Sequence, residues 1–160
     1  MASDDLARPR FFGEAESFCE ILMNGTEKEE WTKQVLLSLS RVYYEALSLS
    51  PVELTGTELK IAEVSYDEWK RAFDHVSRIL GKEGAYWCVL ENGDCHEPVQ
   101  LPIANDLADV FRDLQKCLRG LTTGASLADI TWQVIESFET HWGGHAVAAT
   151  QALHHIVFPI

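Results

Sequence analysis

The sequence predicts an all-α fold, a single domain over residues 1–160 with about five to six helices and a small irregular or hairpin segment near 85–100. Apolar residues recur at three- and four-residue steps over most of the chain, which is the spacing of an amphipathic helix. Ser, Thr, Asn, Gly and Pro stand between these stretches, at positions where helices begin and end. Only near residues 85–100 does an aromatic and β-branched run replace the helical spacing.

The first two helices are predicted on either side of Asn24-Gly25, a pair that is typical of a helix C-terminus. Thr26-Glu27-Lys28-Glu29 then matches a capping box, in which the Thr26 hydroxyl and the Glu29 carboxylate each satisfy a free backbone N–H. The second helix runs to about Ser48, where Ser50-Pro51 stops it. The two apolar stripes consist of Phe11, Phe12, Ala15, Phe18, Cys19 and Leu22, and of Trp31, Val35, Leu39, Val42, Tyr43 and Ala46.

A third helix is predicted from a second capping box, Ser65-Tyr66-Asp67-Glu68, to Gly81. Residues 51–64, which precede it, carry no helical period and form either a short strand or a loop. The stripe of the third helix consists of Trp69, Ala72, Phe73, Val76, Ile79 and Leu80.

The segment after the third helix has two interpretations. Tyr86-Trp87-Cys88-Val89-Leu90 followed by Asn92-Gly93 is typical of a β-hairpin, because Asn-Gly favours a tight type I′ turn. The alternative is an irregular loop that tucks Trp87 inward. Pro98 and Pro102 favour the loop over a full second strand, because proline cannot donate to a sheet.

The fourth and fifth helices are predicted on either side of Thr122-Thr123-Gly124. Ser126 caps the fifth helix, whose period continues through Trp142 to Ile156 and is interrupted only by Gly143-Gly144. Two mid-helix glycines cost about 1 kcal/mol each relative to alanine, so they indicate a kink or a close approach between helices. The stripes consist of Leu107, Val110, Phe111, Leu114, Leu118 and Leu121, and of Leu127, Ile130, Val134 and Phe138.

The charge balance excludes several classes of partner. With 13 Lys and Arg against 25 Asp and Glu, the formal charge is -12, which argues against nucleic acid and anionic membranes. The acidic N-terminus lacks the basic and apolar regions of a signal peptide, and no apolar run is long enough to span a membrane. We therefore expect a cytoplasmic protein, for which a basic protein partner remains open.

His141-Trp142-Gly143-Gly144-His145 is the first candidate site. On a continuous helix, positions four apart share a face, so both imidazoles can reach one divalent metal ion if a third ligand comes from elsewhere. The more common role of such histidines is structural: both border the apolar stripe, where each N–H bonds a neighbouring carbonyl or carboxylate. No cofactor is predicted from the pattern, and a divalent metal is the alternative.

Asp106, Asp109 and Asp113 form the second candidate site, on one face of the fourth helix. Their mutual repulsion is offset by the helix N-terminus and by Arg112, which can reach Asp109. The first interpretation is a solvated acidic face. If the last two long helices lie antiparallel, however, His141 or His145 comes within reach of a carboxylate, as either a structural hydrogen-bonded pair or a metal site.

The same segments resemble a known family. Tyr86-Trp87, the run from Asp106 to Leu114, the run from His141 to Val147, and Ala152-Leu153-His154 are similar to the domain of unknown function 5063 family. The resemblance implies a small bacterial all-α protein in a cytoplasmic setting, and it implies no activity. The family often carries an acidic residue and an arginine where this chain has Ala148 and Gln151, which puts an intact polar active site in doubt.

Three functional hypotheses compete, because Gly-rich phosphate loops, nucleophile elbows and zinc-protease motifs are absent and no catalytic residue is identified. The leading one is a non-enzymatic protein-interaction module that binds a partner through its acidic surface. The alternative is a metal-dependent hydrolase, with His141 and His145 as ligands and Asp109 or Asp113 completing the site. The third is a small-ligand pocket lined by Trp87, Trp142 and the two histidines.

Overall fold

The structure is a computed structural model that describes residues 4–56, 60–89 and 97–159, with side chains from Arg10 onward. A short 3₁₀ turn, Gly81–Glu83, follows the third helix, and a π-helical turn, Phe138–Trp142, joins the last two helices. The all-α bundle with a small hairpin that the sequence predicts is therefore confirmed. Its elements are α1 (Asp4–Asn24), α2 (Lys28–Leu47), α3 (Tyr66–Leu80), β1 (Ala85–Val89), β2 (Pro98–Pro102), α4 (Ile103–Gly120), α5 (Leu127–Ser137) and α6 (Gly143–Val157).

The helices enclose one apolar core. The helix α1 packs along α2, α3 packs along α4, and α6 lies against both α2 and α4. The predicted stripes supply most of the core, except that Leu121 is 44% exposed at the end of α4. Each large apolar side chain buried in the core contributes roughly 1.5–3 kcal/mol. None of the described helices combines the length and the hydropathy that crossing a bilayer requires. The largest fully buried side chains include Trp31, Trp142, Phe11, Phe18, Leu39 and Leu107.

The start of α2 differs from the prediction. Its N-cap is Glu27 rather than Thr26, and no side-chain hydrogen bond caps it, so the predicted capping box is wrong. The indole of Trp31 lies over Gly25, where an added Cβ would stand 1.7 Å from Cδ1, and its Nε1 donates to the Leu22 carbonyl at 3.2 Å. Packing of this buried tryptophan thus determines where α2 begins. The N-cap lies one residue after Thr26, the position that the capping-box pattern predicts.

The other two caps are confirmed. Ser65 caps α3 with a complete capping box to Glu68, and Ser126 accepts from the Asp129 N–H at the start of α5. Asp129 also accepts from the backbone N–H and the hydroxyl of Thr55, at 2.7 and 2.5 Å. The described residues of 51–64 form a loop that contains no strand. The Asp129 carboxylate holds this loop to α5.

Leu127, predicted to face inward, is 44% exposed because it occupies the first helical position of α5, beyond the packed stripe.

The hairpin interpretation of residues 85–100 is correct, and the loop interpretation is wrong. Strands β1 and β2 pair antiparallel, with Ala85 opposite Pro102 and Val89 opposite Pro98. The prolines are tolerated because they occupy positions whose backbone points away from β1, so neither is required to donate across the pair. Trp87 is 67% exposed rather than tucked inward. The predicted Asn92-Gly93 turn lies outside the described residues.

The glycine pair on the last long helix follows a local widening of the helix. The N–H of Gly143 donates to the Phe138 carbonyl, five residues back, which is the hydrogen bond of a π-helical turn. A Cβ on Gly143 would stand 2.4 Å from that carbonyl oxygen, whereas a Cβ on Gly144 would meet no atom within 4 Å. The tight contact at Gly143 therefore lies within the helix and is not the close approach between helices that the sequence suggested.

Candidate functional site

The acidic face of α4 and the histidines beyond α5 meet. His141 lies in the π-helical turn, with Nδ1 2.6 Å from Oδ2 of Asp113. His145 lies in the first turn of α6, with Nδ1 2.8 Å from Oδ1 of Asp106. An ionised carboxylate only accepts hydrogen bonds, so the proton of each pair belongs to Nδ1. Both histidines are therefore paired with carboxylates of α4.

Two of the three aspartates are buried and Asp113 is partly buried, so the interpretation as a solvated acidic face is wrong. Asp106 and Asp109 are only 5% and 8% exposed. Asp109 accepts from Nε1 of Trp69 at 3.0 Å and from Nδ2 of Asn105 at 3.0 Å, and it pairs with Nη2 of Arg112 at 2.8 Å. Buried charges persist only where they are paired or hydrogen-bonded, and these donors satisfy that requirement for Asp109. The predicted Arg112–Asp109 contact is thus present.

A cluster of Asp109, His141 and His145, which we call the triad, presents three potential metal ligands. One nitrogen of each histidine and one carboxylate oxygen lie within 4.8 Å of one another. The Nε2 atom of His145 is 3.6 Å from Oδ2 of Asp109. Neighbouring ligands on a tetrahedral zinc ion, about 2.0–2.1 Å from the metal, are about 3.3 Å apart. To match such a site, the His145 and Asp109 ligand atoms would approach by about 0.3 Å, and no pair in the triad would need to approach by more than about 1.5 Å.

The carboxylates behind the triad fix how the imidazoles point. Because Nδ1 of His145 is bound to Asp106 and Nδ1 of His141 to Asp113, the tautomer that these hydrogen bonds favour in a neutral ring places the lone pair on Nε2. The hydroxyl of Tyr86, on β1, donates to Oδ2 of Asp106 at 2.8 Å. The hydrogen bond to Asp106, helped by the charge of Asp109, raises the pKa of His145 above its ordinary value against the opposing effect of burial. Both rings are thus oriented by carboxylates of α4.

Trp87 and Trp142 are not part of this cluster. Trp142 is fully buried and packs against Phe138 and Phe11, at 4.7 and 6.3 Å between ring centroids. Trp87 is on the exposed face of the hairpin. The two tryptophans therefore do not line a pocket together with the histidines, as the small-ligand hypothesis had predicted.

A polar groove of about 290 Å³ instead reaches His141 and Asp113 from between α4 and α5. Arg112 and Lys116 lie on its α4 side, and Glu136 and Thr140 on the opposite side. Cys117 also lines it, but burial raises the pKa of this thiol to about 12, so the thiolate is not available as a nucleophile. The groove gives a small polar molecule a path to the edge of the triad.

Sequence reasoning missed two donors that hold the site together. Asn105 lies one helical turn before Asp109, so an (i, i+4) search for partners of the aspartates would have found it. Trp69 was assigned only to the apolar stripe of α3, and no local pattern connects it with a residue 40 positions away. Tyr86 was named in the predicted hairpin and in the family resemblance, but neither connected it with Asp106.

Comparisons with known proteins agree with this fold. The model of a family described as "Domain of unknown function (DUF5063)" matches residues 5–159. No curated protein matches the sequence. The crystal structure of protein BF1032 from Bacteroides fragilis superposes with a TM-score of 0.81 at 22% sequence identity, covering 95% of this chain and 92% of that one. At this identity the likeness concerns the fold alone.

Proposed function

Because the chain belongs to the DUF5063 family, whose description names no activity, we propose a function from the geometry of the triad: the protein binds a divalent transition-metal ion through Asp109, His141 and His145. One observation carries the proposal. Two imidazole nitrogens and a carboxylate oxygen converge from α4, the π-helical turn and α6, and both imidazoles are oriented from behind by carboxylates. Carboxylate–histidine–metal arrangements have this form.

The donor set also favours a class of ion. Imidazole suits zinc, iron, copper and nickel, whereas magnesium and calcium prefer oxygen ligands throughout. Arg112 and Trp69 contact Oδ1 of Asp109, and the oxygen that faces His145 is Oδ2. A cation at the triad would thus bind Oδ2 while Arg112 stays on Oδ1.

A metal-dependent hydrolase is the second candidate, supported by the groove that reaches His141. Three protein ligands leave a coordination position open, and a metal ion there supplies an activated water. In this candidate Asp106 and Asp113 hold the two imidazoles in place, and the groove admits a small polar substrate. Its volume of about 290 Å³ corresponds to roughly ten water molecules, which limits the substrate to a small molecule.

The protein-interaction hypothesis remains a separate proposal, but two of the aspartates no longer support it. Asp106 and Asp109 no longer contribute to an acidic surface, because both are buried and paired. The net charge of -12 still favours a basic partner.

Metal analysis of the purified protein tests the triad directly. We expect about one equivalent of zinc or iron(II) per chain after incubation and desalting, and a loss of at least about tenfold in affinity in His141→Ala and His145→Ala. His154→Ala and His155→Ala are matched controls, since both histidines lie exposed on α6 and outside the triad. Wild-type protein that retains no metal, or controls that lose as much as the triad variants, would overturn the proposal.

A further inference from the structure

The hairpin has two edges of different character. The N–H of Ile103 donates to the carbonyl of Gly84 at 2.9 Å, so this pair is a hydrogen-bonded one. Such pairs alternate along an antiparallel ladder. In the observed register, Tyr86 and Cys88 therefore bond to β2, while the N–H and C=O groups of Ala85, Trp87 and Val89 point away from it.

Two prolines in β2 disfavour pairing of its outer edge with another strand. Pro98 and Pro102 occupy the outward-pointing positions opposite Val89 and Ala85, and neither has an N–H to offer. Gln100 supplies the remaining outward donor of β2. Proline on an edge strand is a common protection against pairing with another chain.

The outer edge of β1 has no such protection. Its sequence, Ala85 to Val89, contains neither proline nor a charged residue, and within the described residues the sheet consists of β1 and β2 alone. Trp87 and Val89 are 67% and 51% exposed on one face of the strand. A groove of about 420 Å³ runs beside Ala85 and Tyr86, bounded on its far side by His155, Ile156 and Pro159 near the end of α6.

We propose that the free edge of β1 binds an extended segment of a basic partner protein, which adds to the hairpin as a third strand. Main-chain hydrogen bonds to Ala85, Trp87 and Val89 give such strand addition its affinity, and Trp87 offers a large apolar contact. The formal charge of -12 selects the occupant, because it attracts a cationic segment and repels a second copy of the chain. The proposal is independent of metal binding at the triad.

Titration with a synthetic peptide of alternating lysine and valine, seven residues long, tests the edge. Amide hydrogen exchange should show new protection at Trp87 and Val89, since these N–H groups become bonded. A glutamate–valine peptide of the same length serves as the charge control and should not bind. Trp87→Lys should weaken binding by at least about tenfold, because a lysine is a charged edge residue of the kind that disfavours pairing.

Gln100→Lys is the matched variant, because Gln100 lies directly opposite Trp87 on the same face of the hairpin and receives the same charge. It should bind within about threefold of the wild type, since the added charge lies on the strand that the peptide does not contact. The proposal is overturned if the two lysine variants lose binding equally, or if the peptide gives no protection at millimolar concentration. Protection of Trp87 and Val89 that rises with protein concentration alone would identify a second copy as the occupant, which also overturns it.

Discussion

The Nδ1 atom of His145 lies 2.8 Å from Oδ1 of Asp106, which joins the first turn of α6 to the first turn of α4. The carboxylate is 5% exposed and the histidine side chain 28%, so water competes little for this hydrogen bond. The bond fixes both the tautomer and the direction of the ring. It therefore determines whether Nε2 of His145 faces Asp109.

Asp106→Ala should weaken metal binding by about 10- to 100-fold, because the His145 ring loses the carboxylate that orients it. Isothermal titration with zinc measures the change. Asp74→Ala removes the same charge from an exposed position on α3 and should leave the affinity within about twofold. Equal affinity in wild-type and Asp106→Ala protein, with both folded by circular dichroism, would contradict a role of Asp106 in the site.

Tyr86→Phe should produce a smaller loss of affinity, about threefold to tenfold, since it removes a single hydrogen bond to the carboxylate behind His145. The unfolding free energy should fall by about 1 kcal/mol for the same reason. Tyr44→Phe is the control, because this tyrosine is 66% exposed on α2. If both tyrosine variants behave alike in zinc titration, the hairpin does not support the site.

Alanine at the two adjacent glycines should change stability in opposite directions. Gly143→Ala places a Cβ about 2.4 Å from the Phe138 carbonyl oxygen and should destabilise the protein by roughly 1–3 kcal/mol. Gly144→Ala meets no atom within 4 Å and should stabilise it by up to about 1 kcal/mol through helix propensity. Urea denaturation of the two variants measures both values, and a stabilising Gly143→Ala would refute the π-helical turn.

The contribution of Asp129 to stability should depend on pH. Hydrogen bonds from the hydroxyl and N–H of Thr55, and then from Ser126, lower the pKa of this carboxyl below its ordinary value. A lowered native pKa stabilises the fold above the unfolded value of about 3.9, and this contribution is lost as the pH falls through the native pKa. The difference in unfolding free energy between wild type and Asp129→Asn should therefore shrink below about pH 4, which urea denaturation at several pH values checks. A difference independent of pH would contradict it.

The sequence predicted the helices well because each long stripe buries one face. The meeting of the aspartates with the histidines was the second interpretation of the sequence, conditional on the short turn after α4 returning the chain antiparallel to it. The burial of Asp109 did not follow, because Trp69 approaches it from α3, 40 residues earlier. A carboxylate at helical spacing looks the same in sequence whether water or an indole N–H covers it.

The errors at Thr26 and at the prolines have a common cause. Thr26 satisfies the local pattern of a cap, yet the indole of Trp31 over Gly25 decides where α2 begins. Pro98 and Pro102 argue against a strand only if their backbone groups point toward β1, and that depends on the register with which β2 pairs with β1. Local rules were overridden where tertiary packing or strand register determined the outcome.

The π-helical turn sets the rotational phase of everything that follows it. Each residue of an α-helix turns the chain by about 100°, so the extra residue accommodated between Phe138 and Trp142 rotates α6 by that angle relative to a regular continuation of α5. If the same residues continued α5 as a regular α-helix, with none removed, His145 would be rotated away from Asp106. The π-helical turn thus lies where a regular helix would separate the histidine of α6 from the aspartate of α4.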